Sequence, residues 1–489
     1  MDSLIDIFAK FKSFGQRPAL IVEQKGGKQV FSYANVYSGA CVFAAHLKSL
    51  GVAQGDKVVL CAPNSANWVF AYWGVFAAGA VLVPLDYHLP QEEIFKLAEF
   101  CGAKAVLTSN DFEAATIPTI NILKFNFSEE TENFILPKIA LSNLAEIVFT
   151  SGTTGEPKGV ALSHGNISAN IKQLAQAITV NSESKFLATL TFSIMLQQTA
   201  GLLVPWSVGG CVILPENYTG EKLLLAWEQE KVSIIVFVPV ILQRIIERLL
   251  SLSEQEKNSL LKELKLNFEF FVCGGTAVPE NLTKFWQDNN FTILEGYGLT
   301  ECSPVLTANL PGAQKPQTVG RALPGVSLQI QEGEILAKGE NIFAGYYNNP
   351  KATAEVFTKD GWFKTGDLGD IDSQGFVKLF GRREDVINTV SGQTFFPEEI
   401  EKVFLSLKGI KEVCVAAEAG AGGVKLVATV IMDGRAFDQA EILNQANQLL
   451  AKDRQVETVS LWPYAMLPRT ALGKLQRYKI NRRLSFGLK

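Results

Sequence analysis

Between Thr150 and Lys158 the chain reads T-S-G-T-T-G-E-P-K, two glycines and four hydroxyls with a lysine at the exit. Glycine lets the backbone approach a ligand and turn its N–H groups inward, and hydroxyls add donors. Lysine contributes a compact positive charge. Such a loop suits a polyphosphate, although a plain Gly/Ser/Thr hairpin has the same composition. It is not the common P-loop, which runs G-x-x-x-x-G-K-[ST] into a helix. Here Lys158 precedes Gly159 and the strand-like run Val160–Leu162. Ile147, Val148 and Phe149 lead in, so the loop is expected to join two strands, with Asn166 capping a following helix.

Further strings carry side chains that a nucleotide needs. C-G-G-T-A-V-P, Cys273 to Pro279, ends an apolar strand on Gly274, Gly275 and Thr276, and open α/β sheets bind ligands at the carboxyl ends of strands. In E-G-Y-G-L-T-E-C, Glu295 to Cys302, Tyr297 offers a flat face to a purine, Thr300 a hydroxyl to phosphate and Glu301 a carboxylate to magnesium. Asp367, in W-F-K-T-G-D-L-G, can accept both hydroxyls of a ribose. Lys474, in L-P-R-T-A-L-G-K-L-Q-R, stands among Arg469, Arg477 and Lys479. Taken singly, the glycine string suits a plain turn as well, and the others read first as a core tyrosine, a surface carboxylate and a solvated basic patch.

Together the strings resemble the adenylate-forming superfamily of acyl-CoA synthetases, peptide-synthetase adenylation domains and luciferases. S-G-T-T-G-E-P-K-G-V is similar to its signature decapeptide, Y-G-L-T-E to its Y-G-x-T-E motif, T-G-D to its ribose motif and P-R-T-A-L-G-K to its C-terminal lysine motif. The resemblance implies that Thr150, Ser151, Gly152, Thr153, Thr154, Gly155 and Lys158 hold the β- and γ-phosphates of ATP. It places Gly274, Gly275 and Thr276 beside adenine, with Glu295, Gly296, Tyr297 and Gly298 completing that side. Thr300 then meets the α-phosphate, Glu301 holds Mg2+, and Asp367 with Arg382 meets the ribose. Lys474 becomes the catalytic lysine. Glu384 falls where relatives carry an Asp or Lys hinge, and Ser391 and Gly392 fall in the loop that faces the thiol acceptor.

The implied reaction has two steps. A carboxylate attacks the α-phosphorus of ATP, pyrophosphate leaves, and Lys474 bridges the α-phosphate and the carboxylate as charge develops. Rotation about residue 384 then lets a thiol attack the adenylate. Arg382 to Gly392 is one residue longer than in the commonest members, and with P-E-E-I-E it resembles the long-chain fatty acyl branch. Thr189 to Pro205 resembles that branch's L-P-L-S-H-M-F-E-Q-T-x-G-L-L-x-P, with Ile194 for the histidine and Gln197 for the glutamate. The expectation is activation of a medium- or long-chain fatty acid, with coenzyme A as acceptor. A phosphopantetheine carrier protein as acceptor, or a nucleotide-binding relative without turnover, stays open.

Elements to position these residues follow from periodicity. Phe31–Leu50 is expected as a helix capped by Ser32, then strand Lys57–Cys61, helix Ala66–Ala78, strand Ala80–Leu85, helix Gln91–Cys101 and strand Ala105–Thr108. Strand–helix–strand at this spacing means parallel strands with crossover helices. The rhythm returns after the loop, with a helix expected over Gln197–Val208. From Gly320 the texture becomes short glycine-punctuated strands, and from Gly381 a small α/β pattern of its own. The expected fold is α/β: a large N-terminal domain over residues 1–381, of two parallel-type α/β subdomains plus a small β unit, then a small mobile C-terminal α+β domain over 382–489.

Composition excludes other classes. With 489 residues the chain exceeds one ordinary core. A net charge of −4 and no basic patch interleaved with aromatics argue against nucleic acid. Seven scattered cysteines without C-x-x-C spacing argue against a disulfide framework or zinc site and for a reducing cytoplasm. No basic n-region precedes an apolar core at the start, so no signal peptide is expected. Trp68–Leu85 is charge-free, but Gly74, Gly79 and Pro84 punctuate it, so a buried helix and strand are expected there and no membrane span. Peripheral membrane contact stays open.

Overall fold

The computed structural model describes the chain except residues 1, 113–116, 128–133, 152–156, 277, 389–393, 421–422, 435, 470–474, 478 and 481–489. Two compact units divide it: Met1–Leu328, Ala337–Phe363 and Ser373–Val377 form the first, and Gln329–Leu336, Lys364–Asp372 and Lys378–Lys489 the second. The division is discontinuous in sequence, and Gly381-Arg382 ends the strand Val377–Arg382.

The first unit holds two large sheets. One is ordered Gly345–Tyr346, Pro157–Ser163, Leu144–Ser151, Val81–Pro84, Lys57–Cys61, Ala103–Thr108, Thr119–Asn121. Lys57–Cys61 runs parallel to both Val81–Pro84 and Ala103–Thr108, and Leu144–Ser151 turns back antiparallel on Pro157–Ser163. Apolar strands buried on both faces require helices above and below. Helix Ala66–Ala77 supplies one: Ser65 caps it, and all but Asn67 are buried. That accounts for the charge-free run, and no described helix is long and apolar enough to cross a membrane.

The other sheet has a parallel centre of Ile293–Tyr297, Phe270–Cys273, Ile234–Phe237, Lys185–Ala188 and Cys211–Leu214. It ends on the hairpin Pro18–Gln24 and Gly27–Ser32. Trp227, Phe271, Trp286 and Phe291 pack together beneath it.

Three local expectations need correction. Ser163, not Asn166, caps helix His164–Ala177; Asn166 sits three residues in and accepts the Ser163 N–H at 3.0 Å. Its side-chain amide also holds the carbonyls of Glu340 and Ile342 at 2.8 Å each, a tie no local pattern encodes. The single helix expected over Gln197–Val208 is three pieces, Met195–Gln198, a π-helical turn Thr199–Leu203 and Val204–Ser207. Gly201 allows this, since a Cβ there would stand 1.9 Å from Gln197 Nε2. The N-terminal hairpin and helix Gly220–Glu230 lie outside the expected pattern.

In the second unit, most of a four-stranded sheet runs Ser327–Gln331, Glu334–Lys338, Phe363–Ile371, Val377–Arg382. A three-stranded sheet of Ile410–Gly420, Gly423–Met432 and Thr458–Leu461 packs with helices Pro397–Ser406 and Gln439–Leu449. Phe395, Ile400, Phe404, Val415, Val430 and Ala446 share its core. These layers match the α/β architecture expected, with its small β unit and α+β tail.

Candidate active site

The glycine-rich loop is held by a hairpin whose register pairs Thr150 with Lys158 and Ser151 with Pro157. Gly152, Thr153, Thr154 and Gly155 lie outside the described residues. Gly159, just past the exit, leaves no room for a side chain: a Cβ would meet Ile147 at 2.9 Å. Its carbonyl accepts the Tyr347 N–H at 2.7 Å, which seats the edge strand Gly345–Tyr346 against the hairpin.

That edge strand brings in a residue that motif reading missed. Tyr346 donates its hydroxyl to Glu301 Oε1 at 2.9 Å, and Lys158 Nζ stands 5.2 Å from the centre of its ring. One tyrosine thus joins the lysine at the loop exit to the carboxylate of E-G-Y-G-L-T-E-C. Cation–π attraction and a hydrogen bond to a charged oxygen favour the arrangement. Gly345-Tyr346-Tyr347 has no spacing signature; only pairing with the hairpin reveals it.

The strands Phe270–Cys273 and Ile293–Tyr297 run parallel, with Cys273 opposite Glu295. Gly274, Gly275 and Thr276 therefore emerge beside Glu295, Gly296 and Tyr297 at one sheet edge. Gly275 takes φ +88°, a conformation suited to glycine. Burial raises the Glu295 pKa, and the Val278 N–H, 3.4 Å from Oε2, works against it. At Gly298 a Cβ would stand 1.9 Å from the Pro304 carbonyl, so the fold admits only glycine there. Thr300 and Glu301 follow in a 3-10 turn fastened by the Phe343 N–H on the Glu301 carbonyl at 2.9 Å.

Leu196 reaches the same edge, packing against Gly274, where a Cβ would come within 3.2 Å. Ile194, the half-buried residue in the histidine position, precedes the turn Met195–Gln198. Gln197 is fully buried and its Oε1 accepts the N–H groups of Thr189 and Leu190 at 3.1 and 3.2 Å. A structural duty thus occupies the glutamate position.

In the second unit, Asp367 and Arg382 lie on Phe363–Ile371 and Val377–Arg382, and Arg382 Nε meets Asp367 Oδ1 at 3.0 Å. Gly366, at φ +74°, leaves space for the guanidinium, whose Nη1 would be 3.1 Å from a Cβ. Glu384 is exposed in the turn Arg383–Asp385. Lys474, Ser391 and Gly392 lie outside the described residues. Near the tail motif, Arg469 and Leu475 pair in a β-bridge, and Arg469 holds Glu412 at 2.8 Å. Arg477 is tied to Glu398 at 2.7 Å and to Glu401.

The residues fit magnesium carried by a nucleotide. Among the described residues no three His, Cys, Asp or Glu side chains gather as a dedicated cage. Glu301 is a lone carboxylate with lone pairs to spare beyond the one Tyr346 engages. One carboxylate plus phosphate oxygens is the donor set Mg2+ takes in such sites. The paired strand ends fit a nucleotide base in the same way.

The model of a family described as AMP-binding enzyme matches residues 7–347. The chain is similar to a feruloyl-CoA synthase from Amycolatopsis sp, 28% identical over 480 residues that cover 94% of each protein. The long-chain-fatty-acid–CoA ligase FadD13 of Mycobacterium tuberculosis is 26% identical over 494 residues, covering 94% of this chain and 93% of that one. Among solved structures, the O-succinylbenzoate coenzyme A synthetase MenE from Bacillus subtilis, in complex with ATP and magnesium, superposes with a TM-score of 0.85. It is 25% identical, with 97% of this chain and 99% of that one covered.

Proposed function

The chain belongs to the AMP-binding enzyme family, and on that premise we propose that it is an acid–thiol ligase. In this reading it activates a carboxylic acid with ATP to an acyl-adenylate and passes the acyl group to coenzyme A. The observation that carries the reading is the line Lys158–Tyr346–Glu301, which sets a phosphate-binding lysine and a magnesium-binding carboxylate on one fixed frame. All the relatives named above are CoA ligases or synthetases, which favours CoA over a carrier protein.

Each group then has a task. Thr150 to Lys158 takes the β- and γ-phosphates, and Lys158 neutralises charge on the departing pyrophosphate. Bound Mg2+ supplies further positive charge at the phosphates. Tyr346 orients Glu301 to hold it. Thr300 donates to the α-phosphate, Gly274–Thr276 and Tyr297 receive adenine, and the Asp367–Arg382 pair takes the ribose hydroxyls. Lys474 stabilises the pentacoordinate phosphorus, and a swing at Glu384 brings Ser391 and Gly392 forward for the thiol. We assign residues 1–381 to the nucleotide and acid site and 382–489 to the mobile domain.

For the acid, we put a medium- or long-chain fatty acid first. In Phe192–Leu196 only Ser193 is polar, and Ile194 replaces an imidazole with a branched alkyl group. Aromatic acids, as in the feruloyl-CoA synthase, are the competing class. The test is acid-dependent exchange of pyrophosphate into ATP over a panel of fatty and aromatic acids. Mass spectrometry then identifies the adenylates, and CoA is added last to read thioester. Exchange with fatty acids and thioester with CoA are expected. Folded protein that binds Mg-ATP yet exchanges with no acid would refute the proposal.

A further inference from the structure

Glu146 lies inside the strand that leads into the phosphate loop, opposite Leu82 on one neighbouring strand and Leu162 on the other. It is fully buried, and neither the motifs nor the mechanism use it. Tyr72 Oη and Gln198 Nε2 both donate to its Oε1, at 3.1 and 2.9 Å. Among the described residues its Oε2 has no partner, nor does Gln198 Oε1. An ionised carboxylate so placed would have two donors on one oxygen, none on the other, and no cation, a costly arrangement in a dry interior. A protonated acid changes the count. Its O–H becomes a donor on Oε2, and the amide that already donates to Oε1 carries an acceptor, Gln198 Oε1, that lacks one.

The surroundings agree. Burial pushes the Glu146 carboxyl up to about 8, against the hydrogen bonds from Tyr72 and Gln198, which favour the charged form. Tyr72, from helix Ala66–Ala77, is the titratable group facing it; burial raises its own pKa, with Glu146 adding to the effect, so it remains a neutral donor. Gln198, from Met195–Gln198, is neutral. No lysine, arginine or histidine among the described residues acts on the carboxyl.

Position gives the pair a consequence. Glu146 stands four residues before Thr150 on the same strand. Gln198 is in the turn that follows Ile194, and its neighbour Gln197 reaches the other way, to the end of strand Lys185–Ala188. Consecutive glutamines thus tie one helical turn to both large sheets of the first unit. We propose that Glu146 works as a neutral carboxylic acid that fastens the phosphate strand to the acid-site turn. It is a positioning residue for adenylation, and its effect on catalysis rests on the function proposed above.

Three measurements on the full chain test this. Difference infrared spectra of wild type against E146Q at pH 6 should show the carbonyl stretch of a protonated carboxylic acid; a carboxylate band alone overturns the proposal. Each enzyme's pyrophosphate exchange is followed with pH. With a carboxyl titrating at about 8, wild type should lose about tenfold in kcat/KM for the acid by pH 9. E146Q, which mimics the protonated acid, should lack that limb; the same limb in both enzymes overturns the proposal. E146L, deprived of the pair, should raise KM for both ATP and the acid. If it fails to fold, E146Q still decides the matter. Absence of exchange in wild type with every acid would strike the function proposed above, while infrared still reads Glu146. Robust exchange together with an ionised Glu146 would strike this inference alone.

Discussion

Glu146 in the first unit is fully buried and Arg477 in the second is largely buried, and these two ionisable groups meet the cost of desolvation in opposite ways. Arg477 keeps its charge: burial works to lower its pKa, but hydrogen bonds and charge from Glu401, then Glu398, more than offset that. It also donates to the Val415 carbonyl at 3.2 Å and stands 3.9 Å from Asp385, next to Glu384. Among the described residues Glu146 has no counter-charge and is served by a phenol and an amide. The difference teaches that the available partner decides the protonation state, since both side chains lose most of their water. A guanidinium beside carboxylates stays ionised, while a carboxyl beside neutral donors keeps its proton.

The comparison breaks most sharply at Arg477. R477M leaves the 7%-exposed Glu401 without its cation, and removing one partner of a buried pair costs about 4 kcal/mol. Urea unfolding of the full chain should show a transition moved to lower denaturant, and an unmoved curve would mean that the ion cluster contributes nothing.

A smaller effect sharpens the contrast through pH. The folded-state pKa of Glu146 is raised, from 4.5 to about 8, so the folded protein retains a proton that the unfolded chain releases. Its contribution is therefore complete below about pH 4.5 and is lost as pH rises to about 8. Between pH 5 and 8 wild type should lose on the order of 3 kcal/mol relative to E146Q. Thermal unfolding of both proteins across that range checks the slope, and parallel curves would contradict it. Asp385, the acid beside the hinge position, is also raised by burial, with Arg477 opposing. D385N should therefore remove a second, smaller decline of the same sign as pH rises from its ordinary range, read in the same scans.

The smallest effect lies at the nucleotide frame. Y346F removes the hydroxyl from Glu301 while keeping the ring over Lys158, a loss of about 1 kcal/mol. It should raise the magnesium concentration needed for half-maximal exchange a few-fold. An unchanged magnesium requirement would detach Tyr346 from the metal site.

Much of this was legible in the chain. Ser32 announces the helix it caps, its Oγ accepting the Asn35 N–H at 3.2 Å. The hairpin around the phosphate loop was readable from flanking apolar runs. Asn166 was misread because Ser163 and Asn166 bond each other reciprocally, and either end of such a box looks like a cap. Gln197–Val208 reads as one helix because apolar periodicity does not register a π-turn, which depends on Gly201 making way for Gln197.

By itself the sequence determined what depends on near neighbours: glycine-permitted turns, caps, alternating strands and helices, and the strings that mark the AMP-binding enzyme family. Those effects act over a few bonds, so spacing encodes them. Tertiary structure alone decided which side chains meet across long stretches of chain, as Tyr346 meets Glu301 across 45 residues and Gln198 meets Glu146 across 52. Whether a carboxyl holds a metal or a proton depends on the donors and dielectric around it, and packing sets those, not order along the chain.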